Sequence, residues 1–369
     1  MQPTNFYRPT YAEIDLNQIK MNILNLKKHI NHSVLVIAVV KANGYGHGDL
    51  EVSKAALEAG VSMLAVATPD EAIRLRVLGI ESPILVLGAS PPAFAVIASE
   101  HDITITVFQK DWFLHIPTLP KKLKIHIKID TGMGRLGVTT ESELSLLIQT
   151  IHQRSDVLID GVFTHFATAD EENAGQFIRQ LAKFKTFLQL FPERPRCIHT
   201  ANSAASLMHK DSLFDAVRFG ISMYGLSPSA YVSDELPFPL GQALSLHTEV
   251  VNVKQVSAGS TISYGATYTA GKDEWIATLP IGYADGMLRG LSGQEVLIQG
   301  KRMPIIGRIC MDQCMVRLDG QVPIGEPVML IGRQGTEQIT IEEWAQKLQT
   351  ISYEIPCVLT TRVPRTYTS

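Results

Sequence analysis

The chain has 369 residues, 45% hydrophobic and 19% charged, enough to bury the core of one large domain and a smaller one. Lys and Arg total 33 against 36 Asp and Glu, a net charge of -3 with no long single-sign run, which gives no basis for binding nucleic acid or an anionic membrane. No apolar stretch approaches the roughly 20 residues of a membrane span.

The first segment, MQPTNFYRPTYAEIDL, lacks the charged-then-apolar pattern of a secretory signal, so a cytoplasmic protein is the expectation. A strand over about 5–15 is expected there, able to pack with a later domain. Leu16, Ile19, Ile23, Leu26 and Ile30 then share one helical face. Val34–Val40 reads as a strand buried on both faces, and it stops at Lys41 before a glycine-rich turn, ANGYGHG. Position alone leaves Lys41 open. It is either a solvated lysine at a strand end or a desolvated nucleophile with a lowered pKa.

Short apolar strands continue to alternate with amphipathic helices. The further strand candidates are Met63–Ala67, Ile84–Leu87, Ile103–Val107, Ile125–Ile129, Leu158–Thr164, Arg196–His199 and Asp215–Arg218. In TPDEAIRLRVLG, Thr68 and Glu71 form a capping pair, Pro69 suits the first turn, and Gly79 ends the helix. Phe177, Leu181, Phe184 and Leu188 make another apolar stripe. The repeat argues for an α/β fold, an N-terminal (β/α)8 TIM-type barrel over residues 1–238. An open doubly wound sheet is the alternative, weakened by the missing GxGxxG turn.

Residues 227–242, rich in proline and serine, read as a linker. Beyond them the pattern has period two, which predicts a mostly-β domain over 239–369 with one helix, about Ile341–Leu348. Cys310 and Cys314 have no nearby histidine and make a poor zinc site. With Cys197 and Cys357 they read as reduced thiols, and no metal is expected.

In such a barrel the active site lies at the carboxyl ends of the strands, and phosphates favour the loops after strands seven and eight. Those loops are HTANSAAS, with Asn202 and Ser203, and RFGISMYG, where Gly220 and Ile221 offer backbone N–H groups. A lysine ending strand one opposite a phosphate cradle suits pyridoxal 5'-phosphate.

VVKANGYGHG, HIKIDTGMGRLGV, VFTHFATAD, HTANSAA, VRFGISMYG, TISYGATY, IGYADG, GRICMDQ and YEIPCVLTTRVPR, in this order, resemble the blocks of the alanine racemases. The resemblance implies a pyridoxal phosphate enzyme interconverting L- and D-alanine by two bases, supplying D-alanine for peptidoglycan. Lys41 would carry the cofactor and be the base on one face, and Tyr264 the base on the other. A phenol ordinarily holds its proton to about pH 10, so Tyr264 needs help, which the resemblance assigns to His165. Without it Tyr264 is a strand aromatic in a β-core, His165 a core histidine and Met311 core packing.

By the same resemblance Arg218 meets the pyridine nitrogen and, never giving up its proton, hydrogen-bonds it without protonating it. Arg135 serves the cofactor's phenolic oxygen and the substrate carboxylate, and the Met311 N–H binds that carboxylate too. Phosphate contacts come from Tyr45, Ser203, Gly220, Ile221 and Tyr353. Lys128, in HIKID just ahead of Arg135, is a candidate for carbamylation, which would let it pair with Arg135. Tyr264 and Tyr353 narrow an entrance, with Asp170, Arg289, Arg308 and Ile351 further out. The partner is a second copy of the chain, a homodimer with shared active sites. A broad-specificity racemase acting on serine and alanine is the nearest alternative. A fold-related decarboxylase, with Cys310 as its acid, and a pyridoxal phosphate carrier protein follow. A carrier would lack the domain that bears Tyr264.

Overall fold

A computed structural model describes residues 6–369. The contacts divide the chain into two compact units, Gln18–Gly241 and Met1–Asn17 with Gln242–Ser369.

The expected barrel is present in the first unit. After the strand β1 (Tyr11–Asp15), eight parallel strands close on themselves: β2 (Leu35–Val39), β3 (Met63–Val66), β4 (Ile84–Val86), β5 (Ile103–Val107), β6 (Leu123–Lys128), β7 (Val157–Phe163), β8 (Cys197–His199) and β9 (Ala216–Phe219). The ring closes where Leu35–Ala38 of β2 pair with Ala216–Phe219 of β9. Branched apolar side chains fill it because barrel strands are covered on both faces: Ile84, Leu85, Val86, Ile103 and Ile105 are essentially inaccessible.

The helices between strands start where their sequences specify. Thr68 and Glu71 form a capping box on the Pro69–Val77 helix, with Pro69 in its first turn. Thr140 and Glu143 do the same for Glu141–His152. Phe177, Leu181 and Phe184 are buried on Gly175–Leu188 as expected, but the stripe continues at Phe187, and Leu188 is only half-buried. The segment read as a linker is not wholly irregular. Ser229 caps a short helix, Ala230–Asp234, by accepting the Val232 N–H. A five-residue helix is too short for hydrophobic periodicity to reveal.

The second unit is the expected mostly-β domain. It adds β10 (Leu244–Glu249), β11 (Asn252–Val256), β12 (Thr261–Ile262), β13 (Tyr268–Thr269), β14 (Glu274–Leu279), β15 (Glu295–Ile298), β16 (Lys301–Ile306), β17 (Cys314–Leu318), β18 (Pro327–Gln334), β19 (Glu337–Ile339) and β20 (Arg365–Thr368). One ten-stranded sheet runs β11-β14-β17-β16-β15-β18-β10-β1-β20, with β19 added to β18, while β12 and β13 pair separately. β1 lies between β10, antiparallel, and β20, parallel, so both ends of the chain build this sheet. Residue 5 of the strand expected over about 5–15 lies outside the described residues, and pairing starts at Tyr11. The helix Ile341–Leu348, capped by Thr340, buries Ile341, Trp344 and Ala345.

Candidate active site

Lys41 follows β2 directly after Val40 and is half-buried. The backbone then turns left-handed for four residues, Ala42 (φ 52°), Asn43 (54°), Gly44 (61°) and Tyr45 (50°). An L side chain crowds the next carbonyl in this conformation, at about 1–2 kcal/mol per residue. Gly44 escapes that cost and Asn43 bears little of it, so the strain falls on Ala42 and Tyr45, which must be held from outside. The Lys41 Nζ lies 5.7 Å from the centre of the Tyr45 ring. Tyr45 packs on Tyr224 (centroids 5.0 Å apart), whose hydroxyl donates to the Val39 carbonyl at 3.0 Å. The first barrel strand and the turn after it are thus one packed piece.

At β8 and β9 the loops form a small polar cradle. Asn202 caps the Ser203–Met208 helix by accepting the Ala205 N–H. The Gly220 N–H donates to Ser203 Oγ at 2.9 Å, and Ile221 opens a 3-10 turn, Ile221–Tyr224. A Cβ placed on Gly220 would come within 2.9 Å of Tyr45 Oη and 3.7 Å of Ser203 Oγ. Only glycine leaves room for this convergence, and two hydroxyl donors meet there beside main-chain N–H groups. Such a donor set suits a phosphate dianion.

Arg218 of β9 is buried, and the four N–H groups of its two Nη nitrogens reach five acceptors. Its Nη1 donates to His199 Nδ1 (2.8 Å) and the His199 carbonyl (3.0 Å). Its Nη2 donates to the Thr164 and Thr200 carbonyls (2.8 Å each) and shares one of these two hydrogens with His165 Nδ1 (3.3 Å). Burial pushes its pKa down to about 9, which still leaves it cationic at neutral pH. A guanidinium only donates, so both histidines accept at Nδ1 and carry their proton on Nε2. The His199 Nε2–H therefore donates to His126 Nδ1 at 2.9 Å. His126 in turn directs its Nε2–H toward Asp160, 3.9 Å away. One arginine sets the tautomers of three histidines.

Burial, reinforced by the Arg218 charge, holds His165 and His199 well below the ordinary histidine range. Burial also lowers His126 and outweighs the opposing pull of Asp160. His165 and His199 stay neutral in the folded barrel and take up protons near pH 6.5 only when it unfolds. The unfolded state binds more protons below that pH, so stability falls on acidification. The expected loss is about 1.4 kcal/mol per histidine per pH unit once the unfolded chain is protonated, about 3 for these two. Urea midpoints at about pH 7.5 and about pH 5.5 measure it; equal midpoints would contradict neutral burial.

Lys128, the last residue of β6, is buried, and its Nζ has no hydrogen-bond partner among the described residues. It lies 4.8 Å from the centre of the Phe163 ring, and Arg218 lies 5.4 Å from the same ring. Burial first, then Arg218 and Arg135, push its pKa well below the lysine range. Arg135 sits in the loop after β6, which wraps one carboxylate. Asp130 Oδ1 accepts the N–H groups of Gly132 (2.8 Å), Met133 (2.8 Å) and Gly134 (3.1 Å), and Oδ2 accepts that of Arg135 (3.1 Å). Burial pushes the Asp130 pKa up, but these four bonds prevail and hold it below the ordinary value. Sequence reading missed Asp130, although an aspartate before a glycine-rich loop signals this kind of turn. His199 and His126 were missed too, and their meeting across strands has no local signal. Asp170 lies half-buried beyond β7, its carbonyl accepting the Ser229 hydroxyl at 2.7 Å.

In the β-unit, Tyr264 is not a core aromatic. It opens a 3-10 turn between β12 and β13 and is 70% exposed. Ser263, Tyr264, Cys310, Met311, Asp312 and Gln313 line a cavity of about 560 Å³. Met311 is 53% exposed, so it does not serve the core either. The Tyr283 and Ala284 N–H groups donate to the Cys310 and Met311 carbonyls, both at 3.0 Å, and pin this loop. Buried Asp285 anchors the pair through Arg8 (2.8 Å) and Arg362 (3.3 Å), and Arg362 also reaches Asp312 at 2.7 Å. The Arg308 guanidinium lies next to Tyr264, 3.2 Å from where a Cβ on Gly265 would stand. Arg289 and Ile351 are exposed, and Tyr353 is half-buried ahead of the Glu354–Val358 helix.

Two family models match in succession: alanine racemase, N-terminal domain, over residues 14–228, and alanine racemase, C-terminal domain, over residues 243–367. The chain belongs to the alanine racemase family. It is 52% identical to alanine racemase 1 of Bacillus subtilis (strain 168) over 369 residues, covering 100% of this chain and 95% of that one. It is 51% identical to the alanine racemase of Geobacillus stearothermophilus, covering 98% and 94%. The crystal structure of alanine racemase from Bacillus anthracis with bound L-Ala-P superposes with a TM-score of 0.95 at 48% identity, covering 99% of this chain and 96% of that one. Membership of the alanine racemases thus extends over barrel and β-unit alike.

Proposed function

We propose that the protein interconverts L- and D-alanine with pyridoxal 5'-phosphate, supplies D-alanine for peptidoglycan, and works in the cytoplasm as a homodimer. The carrying observation is the whole-chain family match together with an amine, Lys41, beside the Tyr45–Ser203–Gly220 cradle. No helix among the described residues is long and apolar enough to cross a membrane.

The barrel residues fit the cofactor. Lys41 would hold it covalently, while Tyr45, Ser203, Gly220 and Ile221, joined by Tyr353 of the β-unit, would take its phosphate. The Nε–H of Arg218, whose Nη groups are engaged with protein acceptors, would donate to its ring nitrogen, and Arg135 would serve its phenolic oxygen. When bound, the cofactor withdraws electrons from the amino acid's α-carbon and makes the α-hydrogen acidic. The amine of Lys41 moves that proton on one face and the phenol of Tyr264 on the other. His165 assists Tyr264. Because Arg218 occupies its Nδ1, His165 presents an Nε2–H donor, and a donor to a phenolate oxygen stabilises it. Arg218 stays cationic and would donate without handing over its proton, so the cofactor would withdraw electrons less strongly and the placement of the two bases would matter more.

Arg135 and the Met311 N–H bind the substrate carboxylate. Tyr264 and Tyr353, with Asp170, Arg289, Arg308 and Ile351 further out, narrow the entrance and exclude side chains much larger than a methyl. One methylene in an apolar pocket discriminates by only about 1–3 kcal/mol, so exclusion by size carries the selection. Lys128, its amine buried and its pKa pushed well down by burial and by Arg218 and Arg135, gives up its ammonium proton more readily; the amine adds carbon dioxide at Nζ with release of a second proton. The resulting anion pairs with Arg135.

An alanine racemisation assay with and without added pyridoxal phosphate tests the reading. Turnover that requires the cofactor supports it, and no turnover of either enantiomer in the presence of cofactor would sink it. Crystals of the loaded protein should carry added density on Lys128 Nζ; a bare amine would remove the carbamate from the account.

A further inference from the structure

We propose that Glu71 and Arg74, on the Pro69–Val77 helix, are positioning residues that clamp the strained turn after Lys41. This rests on the reading of Lys41 as the cofactor's anchor. The turn places Ala42 and Tyr45 left-handed, beside Asn43 and Gly44, the two residue types that tolerate this conformation. Its own bonds, Gly46 N–H to the Ala42 carbonyl (3.0 Å) and Gly48 N–H to the Asn43 carbonyl (2.9 Å), close it, while the Gly44 N–H to the Val40 carbonyl (2.9 Å) and the packing of Tyr45 on Tyr224 tie it to the first barrel strand. Two further anchors come from one helix. Glu71 Oε1 accepts the Ala42 N–H at 2.6 Å, at the residue directly after Lys41. Arg74 donates to both carboxylate oxygens of Asp49, at 2.8 and 3.4 Å, and the Asp49 N–H donates to Asn43 Oδ1 at 3.1 Å. The two side chains are one helical turn apart, so together they hold the start of the turn and its exit. Lys41 precedes the first anchor and Tyr45 lies between the two, so the clamp sets the amine and the cradle phenol in one motion.

Glu71 also closes the helix cap, its Oε2 accepting the Ala67 (2.7 Å) and Thr68 (3.2 Å) N–H groups. The two duties are separable. Glutamine accepts through one oxygen only; the two cap N–H groups hold that oxygen against the single Ala42 donor, so Glu71→Gln turns its NH₂ toward Ala42 and forfeits the clamp bond. Thr68→Val removes the hydroxyl that accepts the Glu71 N–H and leaves the clamp in place.

Both variants, and Arg74→Gln, which touches no cap, are compared with the wild-type holoenzyme. The measurements are hydrogen exchange over residues 41–46, melting temperature, and the dissociation constant of pyridoxal phosphate on reconstitution. Losing a charged hydrogen bond predicts roughly tenfold faster exchange and roughly tenfold weaker cofactor binding in Glu71→Gln and Arg74→Gln. Thr68→Val should melt lower with both quantities unchanged. If Glu71→Gln does not fold, Arg74→Gln decides alone. Unchanged exchange in the clamp variants, or changes that Thr68→Val matches, overturns the proposal. Borohydride labelling of the wild type at a lysine other than Lys41 would instead overturn the cofactor reading, whatever exchange shows at the turn.

Discussion

Lys41→Ala should lower alanine racemisation by roughly 10,000-fold or more, since the substitution removes both a covalent attachment and one of two bases, and a single base contributes roughly 100- to 10,000-fold. The fold should survive. Lys41 is half-buried, and the packing of this turn is carried by Tyr45 on Tyr224 rather than by the lysine stem. Circular dichroism and melting temperature should therefore stay near wild type while turnover disappears. Borohydride reduction of the wild-type holoenzyme followed by peptide mapping should place the label on Lys41. More than a tenth of normal activity in a correctly folded Lys41→Ala protein would end its role as a base.

Tyr264→Phe should cost roughly 100- to 10,000-fold in racemisation. It removes one hydroxyl from a ring that is 70% exposed in its turn, so stability should barely change. Racemisation needs both faces, but loss of the α-hydrogen to solvent deuterium needs one. Exchange should persist for the enantiomer that Lys41 serves and fail for the other. Equal exchange from both enantiomers would take Tyr264 out of the mechanism. If sites are shared between chains, random reassortment of Lys41→Ala and Tyr264→Ala subunits gives half heterodimers, each with one intact site of two, and about a quarter of wild-type activity returns. Absence of recovery despite demonstrated exchange of subunits would reject the shared site.

The value of a histidine in this chain comes from what touches it. HIKID announces by alternation that His126 and Lys128 share a face. It says nothing of His199, 73 residues on, which closes the chain of hydrogen bonds to Arg218. The left-handed turn shows the same limit. Asn43, Gly44, Gly46 and Gly48 advertise a bend, whereas Ala42 and Tyr45 have side chains that disfavour the conformation they adopt, and the clamp from Glu71 and Arg74 lies some 30 residues away. Asp130 was within reach of sequence reading, because its four N–H partners are its immediate successors.

The sequence by itself determined the strand-helix alternation, the change to period two after the barrel, the capping boxes, and the family blocks that carry Lys41 and Tyr264. These follow from neighbours a few residues apart, where periodicity and local hydrogen bonding act. Only the tertiary structure decided that β1 joins the sheet of the other terminus, that Tyr45, Ser203 and Gly220 converge, and that one buried arginine imposes the tautomers of three histidines. Those outcomes depend on groups distant along the chain, brought together by closure of the barrel and burial of the sheet, where desolvation sets both the proton positions and the pKa shifts.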